Sequence, residues 1–178
     1  LTVSSVTAGT FTIDAGIETI AIASNGVVAN TIADLTTGAA GASALTLSGA
    51  MDLTITASLD SAVTTIDGSA MTGAMTITQD AAANITVTGG SGNDLIDLGG
   101  NNFDANDTVN GGDGTDILSI EEDDAIALTT AAAELTKISN IEVINLTDTL
   151  AGNVTLSFFG AATTLELSAG IDANDRTL

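Results

Sequence analysis

The sequence predicts an all-β fold, a parallel β-solenoid or β-roll carrying one short helix. Three observations predict it. Runs that alternate apolar with small polar residues recur along the chain, the period-2 signature of strands with one buried face. From Leu45 onward the strand centres lie roughly 8 to 13 residues apart, with Gly, Asn, Asp or Ser between them. The composition is 44% hydrophobic but only 2% aromatic, with no Pro, so the core must be built mostly from Ala, Val, Ile and Leu. Such side chains suit flat, repeated layers, and branching at Cβ favours strands. An antiparallel sandwich would give the same strand spacing. The lack of Pro, the few rings and the scarcity of two-residue Asn-Gly or Asp-Gly hairpins favour the solenoid.

Taken in order, the runs Thr10-Phe11-Thr12-Ile13, Leu45-Thr46-Leu47, Leu53-Thr54-Ile55-Thr56, Met75-Thr76-Ile77-Thr78 and Ile85-Thr86-Val87-Thr88 are each expected to be strands. Residues 1–88 therefore read as a strand-repeat, solenoid-like region, 89–120 as glycine-rich turns, and 121–178 as a helix followed by more solenoid strands. Glu121, Glu122, Asp123 and Asp124 precede an Ala-rich stretch that ends in Lys137. Acids at the start and a cation at the end match the helix dipole, and Ala favours helix. A helix is expected over about 124–136, with the four acids as its capped start rather than a metal cluster.

Self-comparison suggests a repeat. The stretch 16–22 resembles 140–146, 44–48 resembles 164–168, and 104–107 echoes 172–175. The offsets suggest a window cut from a longer array, holding a little more than one unit of about 120 residues.

Charge narrows the partners. There are 23 acidic residues against 2 basic ones, a formal charge of −21, which disfavours nucleic acid and anionic membrane. Divalent cations are the natural counterions, and a chain without Cys or His offers oxygen ligands alone, pointing to calcium rather than zinc. No apolar run is long enough to span a bilayer. Without His, Cys or Tyr there is no zinc-protease helix, thiol nucleophile or Ser-His-Asp triad, and no G-x-S-x-G occurs. Catalysis is not expected. Outward Thr pairs (Thr10/Thr12, Thr54/Thr56, Thr76/Thr78, Thr86/Thr88) are too irregularly spaced for a ligand-matched face and read as solvent-facing strand positions.

The chemistry is concentrated in 89–119. Gly89-Gly90-Ser91-Gly92-Asn93-Asp94-Leu95-Ile96-Asp97 fits the nonapeptide G-G-x-G-x-D-x-U-x, and Gly111-Gly112-Asp113-Gly114-Thr115-Asp116-Ile117-Leu118-Ser119 fits it again. Between them, Asp104-Ala105-Asn106-Asp107 belongs to a turn with an expanded loop. Aligning Asp94, Asp107 and Asp116 places Ile96, Val109 and Leu118 in one register, where an inward apolar residue should fall. Glycines at 90, 92, 112 and 114 allow positive φ and can turn carbonyls toward a common point. Asp113 and the two motif Asp residues add carboxylates, and calcium takes about 6 to 8 such oxygens. One turn supplies only part of that set, so a stacked turn must supply the rest. No Lys follows the glycines, so a phosphate loop is excluded.

These two nonapeptides resemble the RTX repeats of bacterial proteins exported by type I secretion. The resemblance implies a parallel β-roll with calcium (Ca2+) held between turns. It implies that Asp94 and Asp116, with the loop carbonyls, share one ion, and that Asp104, Asn106 and Asp107 serve a second on the opposite edge. The Ala/Thr/Gly-rich strands and the run after the helix are similar in texture to RTX-containing surface-layer proteins and giant adhesins. That likeness implies an extracellular place on a bacterial cell surface, self-association into an array or filament, and cell-surface polysaccharide as a further partner; an adhesin extender is the alternative. On this reading, Asp94→Ala with Asp116→Ala lowers the melting temperature in calcium and scarcely changes it in chelator.

Overall fold

The computed structural model describes residues 2–5, 7, 9–14, 16–37, 43–79, 84–99, 103–104, 106–130, 137–154, 159 and 161–171. Within them the chain forms a parallel β-solenoid of about six turns with one short helix. The first sheet holds β1 (Thr2–Ser4), β3 (Thr19–Asn25), β6 (Ala44–Gly49), β8 (Thr65–Met71), β10 (Thr86–Thr88), β12 (Thr108–Asn110) and β14 (Ile138–Ser139), in that order. The second holds β4 (Asn30–Ile32), β7 (Leu53–Ile55), β9 (Met75–Thr78), β11 (Leu95–Asp97), β13 (Ile117–Ile120), β15 (Val143–Leu146) and β16 (Thr164–Leu167). A two-stranded third sheet pairs β2 (Thr10–Ile13) with β5 (Asp34–Thr37) near the N-terminal end. From β3 to β15 the chain alternates between the first and second sheets, so each coil there lays one strand on each.

Period-2 patterning makes this stack. In β3, Ile20 and Ile22 point inward while Thr19 and Ala21 face out. Register then carries like onto like: Ile20, Leu45, Ile66, Val87, Val109 and Ile138 are successive partners, all buried. Ile77, Ile96, Leu118 and Ile144 form the facing column. Burying such a side chain is worth about 1.5–3 kcal/mol, and strands about 4.8 Å apart keep the columns in van der Waals contact along the stack. Among the described residues two of the few rings, Phe103 and Phe159, are buried in the same core, and Phe11 packs against it. The alignment that places Ile96, Val109 and Leu118 inward is borne out, since none of the three is exposed.

Partners through the middle of the first sheet (Leu45, Ile66, Val87, Val109) set the coil at 21 or 22 residues. That length explains the distance between the two glycine motifs: they are one coil apart, each lying where the chain passes from the first sheet to the second. The sheets run without a break across residues 88 and 120, and the strands described between residues 2 and 79 stack in the same solenoid. The coil is therefore the repeating unit. The 120-residue similarity joins strands five and a half coils apart, so β3 and β6 of the first sheet match β15 and β16 of the second. Both sheets demand the same alternation, which is why the sequences agree without marking a larger unit; the echo at 172–175 lies outside the described residues.

The helix, α1 (Glu122–Thr130), starts two residues before its expected first turn, with Glu122, Asp123 and Asp124 in that turn. Its expected end at 131–136 lies outside the described residues. The earlier start follows from a cap: the Glu122 N–H donates to Asp148 Oδ1 at 2.6 Å, from the next coil. The helix lengthens its coil to 29 residues between Val109 and Ile138 without disturbing the pairing on either side. The Thr pairs fall on three different sheets, Thr10/Thr12 on the third, Thr76/Thr78 on the second and Thr86/Thr88 on the first, so they make no common face.

Candidate metal centre at the turn edge

Where each coil passes from the first sheet to the second, the backbone turns and its N–H groups leave the strand ladder. Carboxylates replace the lost acceptors. Asp94 Oδ1 accepts from Met75 N in the coil before at 2.7 Å, and its Oδ2 accepts from Gly90 N in its own turn at 2.7 Å. The Asp94 N–H donates to Asp116 Oδ1 at 2.7 Å, and the Asp116 N–H donates to Glu142 Oε2 at 2.9 Å. Asp94, Asp116 and Glu142 are thus three rungs at one register position, each reaching back one coil. Asp94 and Asp116 are buried.

The two glycine turns stack directly. Gly90, Gly92, Asp94, Gly112, Asp113, Gly114 and Asp116 all come to this edge, as the motif reading requires. The Gly90 carbonyl accepts from Asp113 N at 3.0 Å and lies against Gly112, and the Gly92 carbonyl lies against Gly114. Gly112 (φ 101°) and Gly114 (φ 129°) use the left-handed region. The glycines of the first turn do not; Gly89 and Gly92 are required instead by close backbone approach, since a Cβ on either would strike a neighbouring coil. The expectation of positive φ therefore holds for the second turn only.

The turns differ in one bond that decides the chemistry. At 88 the chain carries Thr, and Gly90 N is left to Asp94 Oδ2. Its register partner at 110 is Asn, whose Oδ1 takes Gly112 N at 3.2 Å. Asp116 Oδ2 is consequently buried with no hydrogen-bond partner. Burial above all, then the charges of Asp94, Glu142 and Asp113, push the Asp116 carboxyl up to about 6, against the pull of the Asp94 N–H. Burial also raises Asp94.

The opposite edge uses the same device. Asp107 Oδ1 accepts from Ile85 N and its Oδ2 from Asp104 N, each at 2.7 Å, and Asp104 Oδ1 accepts from Asn106 N at 2.7 Å. Asp124 Oδ2 accepts from Phe103 N at 3.2 Å, and Asp60 caps Thr37 N through a short contact. Asp104, Asn106 and Asp107 are thus brought together, but with both Asp107 oxygens committed to backbone. Burial raises Asp107, and burial plus the charges of Glu121, Asp123 and Asp107 push Asp124 up to about 6.

Calcium fits the first edge better than the second. The donor set is all oxygen, one buried carboxylate oxygen is orphaned, and a cradle too tight for a Cβ surrounds it: a Cβ at Gly111 would stand 2.5 Å from Asp116 Oδ2 and overlap the Asn140 carbonyl. Among the described residues no three acidic side chains form a ready cluster. An ion here would draw much of its shell from carbonyls.

Sequence reasoning missed Glu142, Asp60, Asp124 and Asp148 as caps. A signal existed for the first edge: Asp52-Leu53, Asp94-Leu95, Asp116-Ile117 and Glu142-Val143 each place an acid immediately before a strand of the second sheet. No glycine motif is needed for that.

Protons and a cation compete for these acids. Carboxyls whose folded values are raised stabilise the fold below their unfolded value, near 4, and lose that contribution as pH rises through about 6. The metal-free chain should therefore melt several degrees lower at about pH 7 than at about pH 5. The stabilisation is of order 1–3 kcal/mol, held at the low end by solvent near the turns. Thermal melts of the metal-stripped chain check this; a melting temperature that climbs from pH 5 to 7 contradicts it.

The fold thus defines a class, parallel β-solenoids with carboxylate-capped turns. Comparison with protein-family models, with curated proteins and with solved structures gives no match.

Proposed function

We propose that this chain is a non-catalytic, calcium-braced structural segment of a secreted bacterial surface-layer protein, built to assemble on the outside of the cell. The observation that carries the reading is the stranded Asp116 oxygen inside stacked glycine turns. A buried carboxylate lacking a partner is costly, and a hard divalent cation would neutralise it. Asp116 ties the second glycine turn to the first through Asp94 N, and Asp94 ties the first to the coil before through Met75 N. The Gly90 and Gly92 carbonyls lie against Gly112 and Gly114 of the next coil, so an ion held at this edge would tie coil to coil. The charge of −21 adds to the case, because it opposes close association of copies until cations screen it.

A calcium titration of the metal-free chain, followed by circular dichroism melting and electron microscopy, tests this. Stability should rise by RT ln(1+[Ca]/Kd), about 2–4 kcal/mol at 100 to 1,000 times Kd. Sheets or lattices should form on addition of calcium. Stabilisation with single rods only would favour the adhesin-extender role. No shift in melting at millimolar calcium removes the metal from the proposal.

A further inference from the structure

The RTX resemblance assigns the ion to the two glycine motifs. The hydrogen bonding points one coil further on. Both Asp94 oxygens already accept backbone N–H groups, whereas Asp116 Oδ2 accepts none. Asp116 Oδ2 and the Asn140 carbonyl flank the same bare Cα, that of Gly111. Ser139 pairs with Asn110, so Asn140 takes the register place of Gly111, and it adopts the left-handed region at φ 51°. Val143 pairs with Ile117, so Glu142 takes the place of Asp116, and its carboxylate already stands 2.9 Å from the Asp116 N–H.

We propose that the cation lies between the second glycine turn and the coil after it, held by Asp116, the Asn140 carbonyl and the carboxylate of Glu142. Glu142 belongs to no glycine motif, so this coil joins the site by register and not by sequence pattern. The assignment rests on the calcium reading above and adds a ligand to it. The ligand class is a hard divalent ion, since every donor is oxygen and two of the donors are anionic. Asn110 is part of the same design. By occupying Gly112 N it keeps Asp116 Oδ2 open, and its Oδ1 also accepts from Asn140 Nδ2 at 2.8 Å, tying the Asn140 turn to the site.

Equilibrium dialysis of calcium against the metal-stripped chain tests this, alongside melts in chelator. Glu142→Gln keeps an acceptor for the Asp116 N–H but loses the charge, and should weaken calcium binding about tenfold or more with little change in the chelator melt. Glu18→Gln, an exposed site at the N-terminal end, should bind as the unaltered chain does. Asn110→Thr, which copies Thr88, hands Gly112 N back to Asp116 and should also weaken binding; it serves should Glu142→Gln fail to fold. Unaltered affinity in Glu142→Gln and Asn110→Thr overturns the placement while leaving the calcium reading intact. An unaltered chain that takes up no calcium overturns the calcium reading itself, and this assignment with it.

Discussion

Asp94→Ala is expected to lower the melting temperature substantially in calcium and in chelator alike. The substitution strips the acceptors from Met75 N and Gly90 N, both at a buried edge. A buried donor left without a partner costs about 1–3 kcal/mol, so the pair amounts to roughly 2–6 kcal/mol. The expectation formed from sequence, that Asp94→Ala with Asp116→Ala scarcely matters in chelator, is thereby revised: Asp94 is a backbone cap first. Asp116→Asn is the informative contrast. It keeps an oxygen for the Asp94 N–H and removes a buried charge, so its loss should appear only when calcium is present. Melting curves of the two variants with and without metal make the comparison, and an Asp94→Ala chain as stable as the parent in chelator would refute the capping role.

Gly111→Ala should be at least as damaging. Its Cβ would overlap the Asn140 carbonyl, a backbone atom, and crowd Asp116 Oδ2 at 2.5 Å. Neither side can give way cheaply, because Gly111 N is bonded to Ser139 O at 3.0 Å and the coils above and below are locked in register. Overpacking of this kind costs about 1–3 kcal/mol in a side-chain core, and about 3 kcal/mol or more is expected where backbone must move. Gly9→Ala is the control, since a Cβ there meets nothing within 4 Å. Urea midpoints measure both, and equal midpoints would show that the coils can separate at this edge.

The strand runs were legible because a solenoid strand is bounded by its own local alternation. Thr10–Ile13 and Met75–Thr78 match the expected runs residue for residue. The parallel stack was legible more indirectly, through the lack of Pro and hairpin turns. The coil length was not, because a nonapeptide suggests a coil of 18 residues, and only pairing across the sheets reveals 21 or 22. At the site, Asp94, Asp116 and the glycines stood out because they repeat a pattern. Glu142 did not, since its coil reaches the same place through Asn140 and Ile141 alone, a shorter path with no glycine. The stranding of Asp116 depends on Asn110 competing for one N–H, a fact of hydrogen-bond geometry that no spacing encodes.

The caps also share a direction. Asp60, Asp94, Asp107, Asp116, Asp124, Glu142 and Asp148 each reach to an N–H in the preceding coil, whereas Asp52 and Glu122 reach forward. Shortening the molecule from its two sides is therefore not equivalent. Deleting a coil on the C-terminal side orphans donors in the one left behind, whereas deleting one on the N-terminal side mostly frees carboxylates into water, where they are content. Winding is polarised in the same sense: most coils are finished only by the arrival of their successor.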